Sequence, residues 1–358
     1  MTRVAFYAPM KSPHSPVPSG DREMARNLMA AIRADGAQVD LVSELRIYDK
    51  SGDAGLQARL REAAETEAQR LIDTLPDDFG LWVTYHNYYK APDLLGPAVC
   101  GARGIPYVQL ESTRATSRLD GPWAGFAKAA HDACDAARVI FYHTANDLIT
   151  LKRERFGDQS LVHLTPFLPA SGLPEASDCE GPMLAAGMMR AGDKLSSYRI
   201  IAQTLGHLAD DWTLEIAGDG PARAEVEALL APFGDRVRFL GQLDRDALQA
   251  AYARASLFFW PGVNEAFGMV YLEAQAVGLP VVAQDRPGVR DVLLPARYPS
   301  VEDGPAALAR AIDRLRADPG LRRATGAKAR ARIAERHLIP SATRTFWTAV
   351  NPLLEGAT

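Results

Sequence analysis

Short apolar runs alternate with longer amphipathic segments along most of this chain, and that alternation limits its possible folds more than any other feature. The first run, Arg3 to Ala8, is typical of a buried strand. Apolar residues at a helical period follow from about Asp21 to Asp35, and a second strand is expected at Val39 to Val42. A strand, a helix and a strand in this order form a βαβ unit with parallel strands. The chain is therefore predicted to be an α/β protein built on parallel sheets.

The alternation is interrupted near residues 170–182, where proline, serine and glycine replace the apolar runs. This change of composition predicts a linker, and the length of 358 residues suits two domains. We predict an N-terminal Rossmann-like domain over 1–172, a second over 183–338, and a C-terminal helix over 339–358 that crosses back to the first. Two doubly wound sheets facing a central cleft would bind ligands beyond the carboxyl ends of their strands.

Bulk composition excludes several classes of protein. The net charge of −4 argues against a nucleic-acid binder, which normally needs a basic excess. Three widely spaced cysteines without a CxxC pair indicate a reducing compartment and neither a disulfide framework nor a zinc site. No apolar run is long enough to span a membrane, and the first residues lack the apolar core of a secretory signal. The expected location is cytoplasmic.

The most informative segment begins at Trp260 and contains Glu265 and Glu273, separated by seven residues. They are predicted to lie across a loop and the first turns of a helix, where eight steps of about 100° bring Glu273 back within about 80° of Glu265. Gly268 lets a ligand approach the backbone, where the first N–H groups of a helix favour an anion such as a diphosphate. A carboxylate two turns further along could accept both hydroxyls of a ribose. This arrangement suits a nucleotide diphosphate.

The same segment resembles the E-x7-E signature of retaining GT-B glycosyltransferases, in particular those of family 4. The resemblance continues through LEIAGDGPARAEVEALL (214–230), VRFLGQLDRDALQAAYARAS (237–256) and GLPVVAQDRPGVRDVL (278–293). Several matching stretches in order are far more specific than one motif. The N-terminal half resembles the family only loosely. The resemblance implies a GT-B fold whose substrate is a nucleotide sugar, with no metal or other cofactor.

Carried over by position, the resemblance implies distinct roles for the two glutamates. Glu273 would bind the ribose hydroxyls, and Glu265 would hold a hydroxyl of the donor sugar or favour positive charge on its anomeric carbon. The backbone N–H groups of Phe267, Gly268 and Met269 would contact the sugar and its phosphate. The alternative is that both glutamates are solvated residues on a helix face.

Two basic residues are expected on the diphosphate. Relatives place an arginine directly after the glycine that ends the preceding strand, and a lysine several residues later. Here Met188 occupies the arginine position, Lys194 stands at the lysine position, and Arg190 is predicted to substitute from the next turn. Breaking the glycosidic bond leaves negative charge on the β-phosphate, which preorganised cations stabilise. The alternative is a surface arginine and lysine at a helix end.

Two residues of the N-terminal half match positions that bind ligands in relatives. Gly20 stands where relatives have a glycine-rich loop that brings backbone N–H groups towards the diphosphate. The alternative is an ordinary turn in which Ser19 caps the following helix. His86 matches a histidine found near the acceptor at the end of a strand, although a lone histidine is commonly structural.

Glu111 is the clearest departure from the family pattern. Relatives usually carry a histidine here that reaches the donor sugar. An acid at this position could accept a sugar hydroxyl or orient the acceptor, or it could be a structural partner of Arg114 or Arg118. The departure bears on which sugar is recognised rather than on the class of reaction.

The leading interpretation is a metal-independent retaining glycosyltransferase that moves a sugar, with a UDP-sugar favoured, to an unidentified hydroxyl of a small molecule, glycan or lipid. One alternative is a GT-B relative that isomerises or hydrolyses nucleotide sugars. Another is a nucleotide-sugar-binding protein that has lost transfer, which Met188 and Glu111 favour and the two retained glutamates oppose. The basic residues over 322–336 are predicted to form a solvated helix face, with peripheral contact to anionic lipid as the alternative.

Overall fold

A computed structural model describes residues 2–17, 19–209 and 211–355 of the chain. The last three residues of the predicted C-terminal helix and Pro18, within the stretch that precedes the first helix, lie outside the described residues. The chain divides into two compact units. Unit 1 comprises Met1–Thr165 together with Ile339–Thr358, and unit 2 comprises Pro166–Leu338.

Unit 1 is built on a sheet of six parallel strands in the order β2-β1-β3-β4-β5-β6. Its strands are Arg3–Tyr7 (β1), Gln38–Leu41 (β2), Phe79–Tyr85 (β3), Tyr107–Leu110 (β4), Val139–Tyr142 (β5) and Ser160–His163 (β6). The central strands are buried on both faces, as parallel strands covered by helices require.

Six α-helices and one 3₁₀ turn complete unit 1. They are Gly20–Arg33 (α1), Ala54–Thr74 (α2), Gly96–Arg103 (α3), Ala124–Ala136 (α4), Ala145–Arg153 (α5), the 3₁₀ turn Thr116–Arg118, and a C-terminal helix described below. The β1-to-α1 loop ends at Ser19, whose hydroxyl accepts a hydrogen bond from the backbone N–H of Arg22. This cap satisfies one of the unpaired donors in the first turn of α1.

The C-terminal helix, Ile339–Glu355, packs within unit 1. The Thr343 hydroxyl donates to the carbonyl of Ala31 at 2.8 Å, and the Trp347 indole N–H donates to the carbonyl of Ile32 at 3.2 Å. The ring of Phe346 stacks on Phe141 of β5, with centroids 5.3 Å apart. These buried contacts account for the apolar residues that recur at a helical period along the sequence LIPSATRTFWTAV.

Unit 2 is built on a sheet of five parallel strands in the order β11-β10-β7-β8-β9. Its strands are Met183–Ala186 (β7), Leu214–Ala217 (β8), Val237–Gly241 (β9), Leu257–Phe259 (β10) and Val281–Val282 (β11). Its helices are Asp193–Leu205 (α6), Arg223–Leu230 (α7), Arg245–Arg254 (α8), Met269–Ala276 (α9), Val289–Val292 (α10), Gly304–Ala317 (α11) and Pro319–Arg336 (α12), with a 3₁₀ segment at Ala231–Arg236; the C-terminal helix of unit 1 is α13.

The predicted class is confirmed: the chain folds as two parallel α/β Rossmann-like sheets. The segment 170–182, predicted as a linker, belongs to unit 2. The Ser177 hydroxyl donates to the carbonyl of Ala255 at 2.7 Å, and the backbone N–H of Ser177 donates to the carbonyl of Val277 at 2.8 Å. Its low apolar content therefore reflects a surface segment tied down by polar bonds.

The basic segment 322–336 forms most of α12, and the prediction of a solvated face is wrong for two of its members. Arg322 is buried and donates to the carbonyls of Leu315 and Arg316 at 3.1 and 3.2 Å. Arg330 donates to the carbonyls of Ala276 and Pro174. Guanidinium groups can satisfy several carbonyls at once, so these two arginines act as internal braces of unit 2.

None of the helices that the structure describes is both long and apolar enough to cross a membrane.

Candidate active site

The start of α9 is shaped by a glycine that no other residue could replace without strain. Gly268 precedes the helix with φ of 72°, and a Cβ built on it would lie 2.8 Å from the ring of Tyr271. No side chain caps the helix at this end. The first-turn N–H groups therefore present the positive end of the helix dipole, which favours an anion.

Glu265 lies in the loop before α9 and Glu273 lies within that helix, as the sequence predicted. Oε1 of Glu265 accepts hydrogen bonds from the Lys194 ammonium and from the Trp260 indole N–H, the latter at 2.9 Å. The Glu265 side chain is 12% exposed and that of Lys194 is 22% exposed. The carboxylate is thus held in a fixed position by two donors while one side of the group stays accessible.

Trp260 is the residue that analysis of the sequence missed. It follows β10, is completely buried, and packs edge-on against Tyr198 with ring centroids 5.2 Å apart. Nζ of Lys194 lies 5.4 Å from the centroid of its ring. A buried tryptophan needs a hydrogen-bond acceptor for its N–H. The tryptophan at the end of an apolar run could therefore have indicated that a nearby carboxylate accepts from it.

Lys194 lies in the first turn of α6, after a loop whose residues alternate in exposure. Met188 is 53% exposed, Met189 is fully buried, and Arg190 is exposed. No carboxylate in the described parts of the chain forms an ion pair with Arg190. Its guanidinium is therefore available to a ligand, as the substitution for Met188 requires, although the geometry does not test that role.

Two glycines allow the loop that carries Arg190 to pack on its neighbour. A Cβ on Gly218 would lie 2.0 Å from the carbonyl oxygen of Gly187, and one on Gly220 would lie 2.4 Å from that of Met189. Met189 in turn accepts a backbone hydrogen bond from Ala222 at 2.9 Å. The GDGP sequence at 218–221 is thus a close-packing feature that supports the site.

Glu273 lies one turn into α9, and its Oε2 accepts a hydrogen bond from the Tyr252 hydroxyl at 3.0 Å. Burial raises the pKa of Glu273, and the Tyr252 hydrogen bond only partly opposes that effect. Tyr252 belongs to α8 and is itself buried, which fixes the position of its hydroxyl. Glu273 is therefore a carboxylate held in place by one donor, with acceptor capacity left over for a ligand.

Phe267 and Met269 flank Gly268, and both pack partly against the core of unit 2. Their side chains thus anchor the turn on either side of the glycine. The three residues predicted to present backbone N–H groups are contiguous in space as well as in sequence. Whether those groups contact a sugar and its phosphate stays a prediction.

In unit 1, His86 and Glu111 follow neighbouring strands, β3 and β4, and both have left-handed backbone conformations. The φ of His86 is 66° and that of Glu111 is 56°. Such conformations are costly for residues other than glycine and concentrate at functional sites. Nδ1 of His86 lies 3.2 Å from Oδ1 of Asp21, in the first turn of α1. The carboxyl edge of the sheet therefore carries a compact group of one histidine and two acids.

Glu111 does not pair with either arginine that the sequence offered as a structural partner. Arg114 forms an ion pair with Asp135 at 2.6 Å, and Arg118 lies over the ring of Tyr89. Oε2 of Glu111 is instead 3.9 Å from Nε2 of His143. The two arginine alternatives are wrong because each guanidinium is engaged by other groups.

Gly20 is the first residue of α1, directly after the capping Ser19. A Cβ built on it would have nothing within 4 Å, so backbone strain does not require glycine here. Ser19 therefore caps α1, as the alternative interpretation predicted. The contact between Gly20 and a ligand stays a prediction.

Burial by itself would lower the pKa of His86, but the charges of Glu111 and Asp21 outweigh it, and the pKa is raised above its ordinary value of 6.5. A protonated His86 therefore stabilises the folded state below that ordinary value, and the contribution is lost as the pH rises through the raised pKa.

We expect His86→Asn to destabilise the fold more at about pH 5.5 than at about pH 9. Chemical denaturation at both values measures this, and the exposed His207→Asn is the control. If the variant destabilised the fold equally at both pH values, the carboxylates would not be stabilising a protonated imidazole.

In the parts of the chain that the structure covers, no three His, Cys, Asp or Glu side chains are grouped so that they could hold a metal ion. Asp244, in the Asp-Arg-Asp sequence that superficially resembles a metal motif, instead caps α8 by accepting from the backbone N–H of Ala247 at 2.8 Å.

The two parallel Rossmann-like sheets have the GT-B fold. The family model described as "Glycosyl transferases group 1" matches residues 195–332. This part of the chain belongs to that family, and the resemblance to the family 4 glycosyltransferases derived from the sequence is confirmed.

Curated relatives match parts of the chain. It is 42% identical over 140 residues to the D-inositol 3-phosphate glycosyltransferase of Salinispora tropica, covering 36% of this chain and 28% of that protein. It is 34% identical over 156 residues to the 2-deoxystreptamine glucosyltransferase of Streptomyces kanamyceticus, covering 41% of this chain and 39% of that protein. The matches thus span well under half the length of either relative.

Solved structures match over nearly the whole chain. The sucrose-phosphate synthase of Thermosynechococcus elongatus has a TM-score of 0.71 at 18% identity, covering 99% of this chain and 100% of that one. HepE of Anabaena, in complex with UDP and glucose, has a TM-score of 0.69 at 15% identity, covering 98% and 100%. At these identities the similarity establishes the fold.

Proposed function

We propose that the protein transfers a sugar from a nucleotide-diphosphate sugar to a hydroxyl acceptor, with retention of configuration at the anomeric carbon and without a metal ion. One observation supports this most directly: Lys194, Glu265 and Trp260 form a hydrogen-bonded cluster beside the uncapped start of α9. A cation and a helix N-terminus suit a leaving diphosphate, and a carboxylate suits a sugar that gains positive charge.

Lys194 and Glu265 divide the charges of the transition state between them. As the glycosidic bond breaks, negative charge grows on the β-phosphate, where the Lys194 ammonium and the N–H groups of α9 stabilise it, with Arg190 as a further cation. Positive charge grows on the anomeric carbon, where the Glu265 carboxylate is favourable. The acceptor hydroxyl attacks from the face that the phosphate leaves, and the phosphate takes its proton. No side chain then has to act as a strong base.

We assign nucleotide recognition to Glu273, whose carboxylate would accept from the ribose hydroxyls while Tyr252 holds its orientation. A UDP-sugar is the favoured donor, because similar structures of HepE were solved with UDP and with UDP-glucose. A relative described as a GDP-mannose-dependent alpha-mannosyltransferase is the reason that GDP-sugars belong in every test.

We assign the acceptor to unit 1, at the carboxyl edge of its sheet. His86 and Glu111 follow adjacent strands there, and their strained backbones direct both side chains from fixed positions. Either group can bond a sugar hydroxyl, and the ion pair with Asp21 keeps His86 oriented. Gly20, at the start of α1, leaves space in which a phosphate could approach the backbone.

We expect UDP or a UDP-sugar to raise the melting temperature equally with and without EDTA. A ligand at about 100 times its Kd stabilises the folded state by about 2.7 kcal/mol through mass action. A thermal-shift panel of UDP-, GDP- and ADP-sugars, each with EDTA and with Mg²⁺, measures this and identifies the nucleotide. Stabilisation that occurs only with Mg²⁺ would contradict the metal-independent mechanism. Sugar release measured with and without an acceptor then separates transfer from hydrolysis.

A further inference from the structure

Two aromatic and two basic residues of unit 1 form a cluster that the proposed transfer does not use; we call it the basic aromatic platform. Its members are Tyr89, Lys90, Arg118 and Trp123. The rings of Tyr89 and Trp123 meet edge to face, with centroids 5.8 Å apart. Nζ of Lys90 lies 5.5 and 5.6 Å from these two centroids, and Cζ of Arg118 lies 5.2 and 5.6 Å from them.

The two cations of the platform lack a carboxylate partner. Among residues 2–17, 19–209 and 211–355, no acid forms an ion pair with Lys90 or with Arg118. Both cations lie over the same two rings, whose faces attract each of them. No acid neutralises the charge of this cluster, so an anion bound at it would be attracted by both cations.

Asp49, which is completely buried, holds the platform in shape. Its backbone N–H donates to the carbonyl of Lys90 at 2.9 Å, and its carbonyl accepts from the Trp123 indole N–H at 3.3 Å. Its carboxylate accepts from the Gln57 amide at 2.7 Å and from the backbone N–H of Gly52 at 3.0 Å. One residue thus joins the loops that follow β2, β3 and β4 through its backbone, while its side chain fixes its own loop to α2. A site ordered before binding loses less entropy on binding.

A series of ring contacts connects the platform with the candidate acceptor residue. The rings of His86 and Tyr88 are 4.8 Å apart, and those of Tyr88 and Tyr89 are 5.6 Å apart. Tyr89 then contacts Trp123. A surface lined by amphipathic rings leads from His86 to the two unpaired cations. An extended ligand lying along it would have its attacked hydroxyl at one end and an anionic group at the other.

We propose that the basic aromatic platform binds an anionic group, a phosphate or a carboxylate, on the acceptor. This assignment of an acceptor class rests on the sugar transfer proposed above. Lys90 and Arg118 supply charge-assisted hydrogen bonds, and the guanidinium of Arg118 can bond two oxygens of a phosphate or carboxylate at once. The rings of Tyr89 and Trp123 cover the apolar faces of the part of the acceptor that carries the anion. The anion belongs either to a small phosphorylated or carboxylated sugar or to a lipid headgroup.

The test measures acceptor-side binding without any donor. Glucose 6-phosphate and glucose are titrated into the whole protein, and vesicles of phosphatidylcholine with and without phosphatidylinositol phosphate are tested by co-sedimentation. We expect at least one anionic probe to bind about tenfold or more tightly than its neutral counterpart. Binding of glucose 6-phosphate assigns a small-molecule acceptor, and binding of the charged vesicles alone assigns a lipid.

The double variant Lys90→Gln/Arg118→Gln tests the platform directly. We expect it to abolish the preference for the anionic probe, a loss of about tenfold to a hundredfold in affinity. The matched control is Arg314→Gln/Lys328→Gln, which removes one exposed arginine and one exposed lysine that likewise have no carboxylate partner in the described chain. Thermal unfolding of both double variants checks that each still folds.

Equal affinities for anionic and neutral probes, or a loss of preference as large in the control as in the platform variant, would overturn the proposal. UDP affinity measured on the same preparations keeps the two proposals apart. If the protein binds the anionic probe through the platform but binds no nucleotide, the platform is supported and the sugar-transfer proposal fails. If it binds UDP but shows no preference for the anionic probes, transfer is supported and the platform proposal fails.

Discussion

We expect Glu265→Gln to lower kcat by about two to three orders of magnitude, the range found when one preorganised electrostatic group is removed from an active site. Glutamine keeps the size and one acceptor oxygen, so the Trp260 N–H can still be bonded. What is lost is the negative charge that the proposed mechanism places beside the anomeric carbon, where it matters most in the transition state. The effect should therefore appear in the rate and only weakly in binding.

The structure also predicts how Glu265→Gln changes the affinity for UDP. Glu265 pairs with Lys194, so the variant would free the ammonium for the diphosphate of the proposed donor. Affinity for free UDP should be unchanged or higher, while kcat measured with saturating donor falls. The exposed Glu302→Gln is the matched control and should leave both quantities unchanged. A parallel fall in UDP affinity and in kcat would mean that Glu265 anchors the nucleotide or the fold, and the division of roles between the glutamates would be wrong.

We expect Glu273→Ala to weaken nucleotide affinity by about tenfold to a hundredfold or more. Each hydrogen bond from a ribose hydroxyl to a carboxylate contributes about 1.5–3 kcal/mol in a favourable setting, and two hydroxyls are available. Tyr252→Phe is the informative companion, because it removes the hydroxyl that orients Glu273 and keeps the carboxylate. Its affinity should fall less than that of Glu273→Ala. Isothermal titration with UDP and with 2′-deoxy-UDP measures both effects.

The raised pKa of Glu273 gives this expectation a pH dependence. A carboxyl group with a raised pKa becomes protonated at a higher pH than usual, so nucleotide affinity should fall as the pH decreases through that pKa. In Glu273→Gln this component of the dependence should be absent. Without ligand, Glu273→Ala should unfold at nearly the parent temperature, because the lost Tyr252 bond is offset by relief of a buried carboxylate. Equal UDP affinity in variant and parent would show that the carboxylate serves another ligand.

The pattern of apolar residues along the sequence predicted the strands that are continuously buried. The strand predicted over Arg3 to Ala8 is observed as β1, Arg3–Tyr7, because its residues from Val4 onward form a continuously apolar, buried run. The strand β6, Ser160–His163, has no such run. It lies at the edge of its sheet, where half-exposed polar residues carry no clear alternation. The central strands could therefore be predicted from the sequence because they are buried on both faces.

The predicted site fared differently in its two halves. In the donor half, Gly268 was predicted at the start of a helix, and α9 begins directly after it. Glu265 was predicted in the loop before that helix and Glu273 within it, as the structure shows, but the hydrogen bonds that Glu265 accepts from Lys194 and Trp260 were not predicted. In the acceptor half, the partners of His86 and Glu111 come from other segments of the chain, and spacing along the sequence holds no information about them.

By itself the sequence determined the fold class, the family, and which residue types stand at the start of α9, because each depends on local pattern and order along the chain. Only the tertiary structure decided which groups meet. Trp260 binds Glu265, Asp21 pairs with His86, and Asp49 joins three loops through contacts between segments far apart in sequence. Such contacts arise when parallel strands bring their carboxyl ends to one edge of a sheet. Their energies depend on burial and on the distances between charges, and these exist only once the chain is folded.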